Sequence, residues 1–301
     1  MVAGTNDWRQ NHAAYNRGEM DKWAMANTPY SIGYVHEADI PVQYKLAEAF
    51  TVGDMYYESI MSSTAPNRVS WFSGTINPPK GSKINGTNKH MGGPTLDNRD
   101  SVGCERTDSG KPFSCVPLRW KTVPEYLQEA GISWRVYQDK DNFGDDPLVM
   151  WKQYQTSAKK KGDLAQRGTS FPGLQKFFDD ARDGKLPEVS YIVAPMQLSE
   201  HPPYMPMDGA WIQGEVAKAV MHGKNWDSTA LIYSYDETGG WADHVVSPYP
   251  PQSEESEWIE DPYDKSNGIT PIGPGFRLPF YIVSPWTSGG HVFTELSLIH
   301  I

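Results

Sequence analysis

The chain has 301 residues, enough to bury a large core in one α/β domain or two ordinary ones. Hydrophobic residues make up 38% and charged residues 21%, which excludes wholesale disorder, and no apolar run reaches the roughly 18 residues of a membrane-crossing helix. With 27 Lys and Arg against 37 Asp and Glu, the net charge is −10, so nonspecific binding to nucleic-acid phosphates is disfavoured.

The first residues, Met1 to Gly4, have neither the basic nor the apolar region of a signal peptide. Val42, Leu46, Ala49 and Phe50 fall on one helical face. Pro66 suits the first turn of a helix running through Trp71. Residues 77–117 are rich in Gly, Pro, Asn and Ser and hold both cysteines, Cys104 and Cys115, with ten residues between them. The pair reads as a local disulfide or as two unrelated thiols, and the count excludes a CxxC-type metal site. The polar segment favours the disulfide, which would stabilise by roughly 2–3 kcal/mol and imply an oxidising compartment. The sequon Asn85-Gly86-Thr87 points to the same secreted, extracellular setting.

Thr122 is placed to cap a helix, with Pro124 near its start and Gly131 past its end. Residues 132–137 read as a strand. Leu174, Phe177, Phe178 and Ala181 mark a helix stopped by Gly184, followed by a strand over 189–194. Ile212, Val216, Ala219 and Val220 mark another helix, ended by Gly223. Strands over 229–234 and 278–284 follow. This alternation predicts an α/β fold with a mostly parallel central sheet and helices on both faces. Two long segments, 77–117 and 247–274, read as functional lids or disordered insertions. In the second, Glu254, Glu255, Glu257, Glu260, Asp261 and Asp264 read as a solvated surface rather than a metal site. No repeat or linker divides the chain, so a single domain over 1–301 is expected. Ser297 to Ile301 breaks off inside an apolar run, and the chain reads as a fragment.

Active groups of parallel α/β sheets gather beyond the carboxyl ends of the strands. The strand over 229–234 runs into Tyr235-Asp236-Glu237-Thr238-Gly239-Gly240, with Asp243-His244 just after. Adjacent acids there suit a hard divalent cation, although a solvated turn before two glycines is the simpler reading of the pattern. The strand over 189–194 leads to Ser199-Glu200-His201-Pro202-Pro203, where two prolines stiffen the loop that carries the imidazole. That fits a positioned ligand or an ordinary proline turn. Thr64 stands at a helix start, where dipole and free N–H groups favour an anion. It reads as a phosphate-attacking nucleophile; more simply, Ser63 or Thr64 merely caps the helix.

Several runs carry a resemblance to a known family. They are Trp8 with Asn11-His12 and Met20-Asp21, Thr51-Val52-Gly53-Asp54-Met55-Tyr56, and Thr64-Ala65-Pro66-Asn67-Arg68. Val136-Tyr137-Gln138 with Asp141-Asn142-Phe143, Ser199-Glu200-His201-Pro202, Tyr235-Asp236-Glu237 with Asp243-His244-Val245, and Gly275-Phe276-Arg277-Leu278-Pro279 extend it. In order and over nearly the whole chain, these resemble the phosphoesterase family of bacterial and fungal phospholipases C and acid phosphatases. The Thr-Val-Gly-Asp-Met-Tyr form and the cysteine pair are closer to fungal-type members. The resemblance implies a three-layer α/β/α, alkaline-phosphatase-like fold and a metal-dependent route through a phosphorylated enzyme. Carried over by position, Thr64 is the nucleophile and Asp236 and Glu237 are ligands of a divalent metal (Ca, Mg, Mn or Zn). His12, Asn142 and His201 surround the transferred phosphoryl group, and Glu200 and His244 serve substrate binding. The family's upstream Glu-Asn metal pair has no counterpart before Trp8, a downstream Asp-His-Thr-Ser-like segment is missing after Thr294, and Ala65 stands where many phospholipases C have Asn.

The reading that follows is a secreted phospholipase C-type phosphodiesterase acting on a glycerophospholipid through phosphothreonine. Contact with a membrane surface is peripheral, with no transmembrane segment and no nucleic-acid partner. An acid phosphatase on phosphomonoesters shares the same core. A noncatalytic secreted binding protein, in keeping with 12% aromatic residues, is the rival of another class. Tyr57, Trp71, Trp241 and Tyr204 lie near the motifs as candidates to hold a quaternary ammonium, or simply pack.

Overall fold

The computed structural model describes residues 4–78, 92–97, 116–295 and 297–298. Cys104, Cys115 and the sequon at Asn85 lie outside these residues. Among the described residues the helices are α1 (Trp8–Tyr15), α2 (Trp23–Ala26), α3 (Pro41–Ala49), α4 (Thr64–Ser73), α5 (Val123–Glu129), α6 (Lys152–Lys159), α7 (Asp163–Gly168), α8 (Leu174–Asp183) and α9 (Pro206–Met221). The strands are β1 (Thr51–Gly53), β2 (Tyr56–Tyr57), β3 (Trp134–Tyr137), β4 (Val189–Ile192), β5 (Leu231–Ser234), β6 (Trp258–Glu260), β7 (Ile269–Pro271), β8 (Phe280–Val283), β9 (Val292–Phe293) and β10 (Ser297–Leu298).

Local chemistry explains the helix ends. The backbone N–H of Thr122 donates to Glu125 Oε2 over 2.9 Å, closing a capping box at the start of α5. The predicted stops at Gly131 and Gly184 both adopt positive φ, +76° and +70°. Helix α9 begins at Pro206, well before the apolar spacing that starts at Ile212, because proline is pre-set for a first helical turn.

The sheet departs from the parallel arrangement expected. Its order is β5-β8-β1-β9. Strands β5 and β1 both pair antiparallel with β8, and β9 pairs parallel with β1. Parallel pairing needs a crossover, usually a helix, and among the described residues no α-helix lies between β5 and β8. Asp236 and Glu237 therefore follow an edge strand with an antiparallel neighbour, not a central parallel one. Strands β3 and β4 form a separate parallel pair, joined through helices as predicted.

The segment over 247–274 is also more ordered than an insertion. It holds the β6–β7 hairpin, whose Ile259 and the following Ile272 are buried in the main core. Within its acidic cluster Asp261 is buried, accepting from the Tyr263 and Asp264 N–H groups and from Asn267 Nδ2. Glu254, Glu257, Glu260 and Asp264 are exposed, as expected.

The main core packs Val69 and Phe72 of α4 with Trp134, Val136, Leu148 and Trp151. That anchors the helix bearing Thr64. Asn67, fully buried, then fixes the loop leading into it. Its Oδ1 accepts from Ile60 N–H at 2.9 Å, and its Nδ2 donates to the carbonyls of Ile60, Ser62 and Ser63 at 3.0–3.2 Å. Removing the amide strands buried backbone groups, each worth about 1–3 kcal/mol when left unpaired. Asn67→Ala is expected to lower unfolding free energy by about 3 kcal/mol, measured by denaturant titration. A loss under about 1 kcal/mol would show that the loop holds itself.

Candidate active site

Thr64 is the first residue of α4, one place inside Ser63, which makes no side-chain cap hydrogen bond. The capping alternative is therefore not realised through Ser63. Four residues on, Arg68 shares the helix face of Thr64. Its Nε donates to Asp236 Oδ2 at 2.8 Å, Nη1 to the Asp145 carbonyl at 2.9 Å, and Nη2 to Asp145 Oδ2 at 3.2 Å. Burial would lower the Arg68 pKa, but Asp236 and Asp145 outweigh it and hold the guanidinium above its ordinary value. This one side chain ties α4 to the loops after β5 and β3.

Thr64, Arg68, Glu200, His201, Asp236 and Glu237 line one cavity of about 580 Å³. Five predicted site residues are thus brought together. Burial first, then the Asp236 charge, pushes Glu237 up to about 8, although the Gly239 N–H donates to its Oε2. Glu200 has a left-handed backbone, φ +65°, which turns the loop back toward the cavity. Its Oε2 accepts from Tyr235 O–H at 2.7 Å and its Oε1 from Gln213 Nε2 at 2.6 Å. Burial raises its pKa against these two donors. His201 Nδ1 lies 2.7 Å from the Pro202 carbonyl. Only a protonated Nδ1 satisfies that carbonyl, so in the neutral ring Nε2 carries the lone pair.

Three predicted residues stand outside the cavity lining. His12 stacks on Trp8, and its two nitrogens each lie 2.9 Å from a backbone carbonyl, of Trp8 and of Pro271. Burial lowers its pKa. The neutral ring carries one N–H and so donates to one of the two carbonyls, and its position between them places α1 beside the end of β7. Asn142 is buried, donating to Gln138 Oε1 at 2.5 Å and accepting from Gly144 N–H at 3.0 Å, which shapes the turn ahead of Asp145. His244 is exposed, and its neighbour Asp243 lines the cavity instead. Asp243 takes two guanidinium bonds from Arg277, at 2.9 and 2.7 Å. Of the four aromatic candidates, Trp241 lines the cavity. Tyr57 is buried, and Trp71 packs against Phe72 and Tyr191.

Six carboxylates line the cavity (Asp54, Asp145, Glu200, Asp236, Glu237, Asp243) against the guanidiniums of Arg68 and Arg277. Both arginines are engaged by aspartates. An excess of carboxylate oxygen fits a hard divalent cation. Asp236 and Glu237 are the adjacent pair in the lining that could hold such an ion. Among the described residues no group of three or more His, Cys, Asp or Glu forms a metal cage.

A further carboxylate lies behind this pair. Glu58 is fully buried, Oε1 accepts from Phe276 N–H at 3.1 Å, and Oε2 has no partner. A Cβ on Gly275 would lie 2.0 Å from Oε1, so glycine there is what gives this carboxylate room.

A family model for the phosphoesterase family matches residues 3–298, and the chain belongs to that family. It is 38% identical over 312 residues to the non-hemolytic phospholipase C of Pseudomonas aeruginosa, covering 98% of this chain and 42% of that protein. It is 33% identical over 320 residues to the non-hemolytic phospholipase C of Burkholderia pseudomallei, covering 96% and 42%. Against phospholipase C B of Mycobacterium tuberculosis the identity is 34% over 317 residues, covering 96% and 57%. The chain thus spans between two-fifths and three-fifths of the length of these relatives. Among solved structures, Ps i-CgsB aligns with a TM-score of 0.42 at 15% identity, over 100% of this chain and 68% of that one, too loose an overlap to define a shared fold.

Burial, opposed by the Phe276 N–H and reinforced by the Glu237 and Asp236 charges, raises Glu58 well above its ordinary 4.5. The folded state then keeps this proton after the unfolded state has lost it. Stability from Glu58 is complete below the unfolded pKa and is lost as pH rises toward the folded one. Glu58→Gln keeps the acceptor for Phe276 and does not titrate. In chelator-containing buffer, its Tm relative to the parent is expected to rise steadily from acid to alkaline pH. A pH-independent difference would show that this carboxyl does not titrate with folding.

Proposed function

We propose that this chain carries the catalytic residues of a secreted, divalent-metal-dependent phosphodiesterase of phospholipase C type, in one domain with an alkaline-phosphatase-like three-layer arrangement. The observation that carries this reading is the convergence of Thr64, Asp236 and Glu237 on one cavity, with Arg68 fastening the helix of Thr64 to Asp236. The names of the relatives, all phospholipases C, favour a phospholipid over a phosphomonoester.

Asp236 and Glu237 would hold the cation, which when bound lowers the pKa of a nearby hydroxyl and neutralises phosphate oxygens. Thr64 Oγ1 attacks phosphorus in line with the diacylglycerol oxygen. A bond from Oγ1 to phosphorus forms as the bond to the leaving oxygen breaks. His201, with Nδ1–H held by the Pro202 carbonyl, takes the Thr64 hydroxyl proton on Nε2 and passes it to that oxygen; it then takes a proton from the water that hydrolyses phosphothreonine and returns it to Thr64 Oγ1 as the phosphorus–Oγ1 bond breaks. Glu200, braced by Tyr235 and Gln213, forms a fixed acidic wall. With Trp241 it suits a cationic headgroup, where a cation–π contact is worth about 0.5–2 kcal/mol. His12 and Asn142 support these walls from behind, and His244 stands at the surface beside Asp243.

The test is turnover of phosphatidylcholine and of p-nitrophenyl phosphate after chelation and add-back of single cations. The diester is expected to be the better substrate, and chelation to remove activity. Thr64→Ala is expected to lower kcat by about a thousand-fold or more, with Thr64→Ser partly active. Acid quenching should trap phosphate on Thr64, read by mass spectrometry. Thr64→Ala at parental rate would remove the nucleophile assignment, and a faster monoester would favour the acid phosphatase.

A further inference from the structure

Two segments flank the cavity mouth, and neither carries a charge. Residues 28–35, Thr-Pro-Tyr-Ser-Ile-Gly-Tyr-Val, contain no Asp, Glu, Lys or Arg, and neither do residues 202–207, Pro-Pro-Tyr-Met-Pro-Met. Gly33, Tyr34 and Val35 line the cavity from the first lip, Pro202 and Pro206 from the second.

Both lips turn large apolar side chains to water. In the first, Ser31 is the buried anchor. Its carbonyl accepts from Ala242 N–H at 2.8 Å, and its hydroxyl donates to the Thr28 carbonyl at 2.7 Å. Held there, the lip leaves Tyr30, Ile32 and Tyr34 60–78% exposed. In the second, Gln43 Nε2 donates to the Pro206 carbonyl at 3.4 Å, tying the start of α9 to α3. Met205, Met207 and Trp211 are 46–58% exposed, and Met207 and Trp211 are one helical turn apart on the same face. Single exposed apolar residues are ordinary, but two such groups bordering one cavity mark an interaction surface.

We propose that these lips seat on a zwitterionic phospholipid surface and present its headgroups to the cavity; this rests on the phosphodiesterase reading above. Tyr and Trp have amphipathic rings that settle at the headgroup level of a bilayer, with Ile and Met reaching into the acyl boundary. The charges decide the kind of surface. Anionic lipid is drawn by clustered Lys and Arg, which both lips lack in a chain of net charge −10. Continuity decides between a lipid and a protein partner. A protein bound across both lips would cover the cavity mouth, whereas a lipid surface supplies what the cavity is proposed to cleave.

The experiment is flotation of the 301-residue chain with phosphatidylcholine vesicles, with and without added phosphatidylserine. The comparison is the triple variant Ile32→Ser, Met207→Ser, Trp211→Ser, whose positions all lie outside the cavity lining. The parent is expected to float with pure phosphatidylcholine and to remain bound at about 0.5 M salt, where surface charge is screened. The variant is expected to partition at least about ten-fold less. It should keep parental circular dichroism and parental turnover of soluble p-nitrophenylphosphorylcholine. The proposal is overturned if the parent does not float, if it floats only with phosphatidylserine and is released by salt, or if the variant floats equally well. It is also overturned if the parent sediments as a dimer that the variant abolishes, since the lips then pair copies of the chain. Flotation without turnover of either substrate keeps the docking surface and removes the phosphodiesterase reading; turnover without flotation does the reverse.

Discussion

The guanidinium of Arg68 meets carboxylates from two different loops, and three walls of the cavity depend on that meeting. One wall is the helix of Thr64, rooted in the main core through Val69 and Phe72. The second is the loop after β5, held through Asp236, and the third is the loop after β3, held through Asp145. An ion pair shielded from water is costly to desolvate and costly to break; here Arg68 and Asp236 are partly buried and Asp145 is buried. Here three charges share one planar fork, whose geometry lysine cannot reproduce. The arrangement therefore fixes relative position more than it adds stability. Asn67, one residue earlier, does the same work with neutral groups for the loop entering the helix.

Much of this was legible from residue order. Helix stops at Gly131 and Gly184 and the strand before Asp236 follow from local chemistry that tertiary contacts did not override. Thr64, His201, Asp236 and Glu237 are legible because each combines a reactive group with a strand end or helix start, and Glu200 is legible by resemblance. The strand directions were not legible. A helix–strand alternation says that crossovers exist, but not which strand a late segment such as β8 will join. His12 and Asn142 were assigned by resemblance, and their hydrogen-bond partners lie in backbone that pattern reading does not see. Arg68 had a signal in its helical spacing from Thr64. Glu58 had none, since its neighbours come from a segment more than two hundred residues away.

The cavity is also chemically one-sided. Its two arginines face aspartates, so their charge is largely spent within the protein. An anionic ester entering this space meets few uncommitted positive groups, and Coulomb repulsion at low dielectric is severe. The same walls welcome cations, whether a metal ion or an ammonium headgroup. On the proposed function, a zwitterionic ester would meet these walls with its cationic end, and its phosphate would rely on a bound cation.

That imbalance bears on how a catalytic cycle would end. Hydrolysis of a phosphodiester to a phosphomonoester adds about half to one unit of negative charge near neutral pH, since the second phosphate pKa is near 6. A headgroup leaving as such a monoester carries more anionic charge than it brought in. Walls richer in carboxylates than in guanidiniums would then disfavour the product more than the substrate. On the proposed function, this excess of acid would favour departure of the phosphorylated headgroup, and rebinding would be weakest where the monoester is fully ionised.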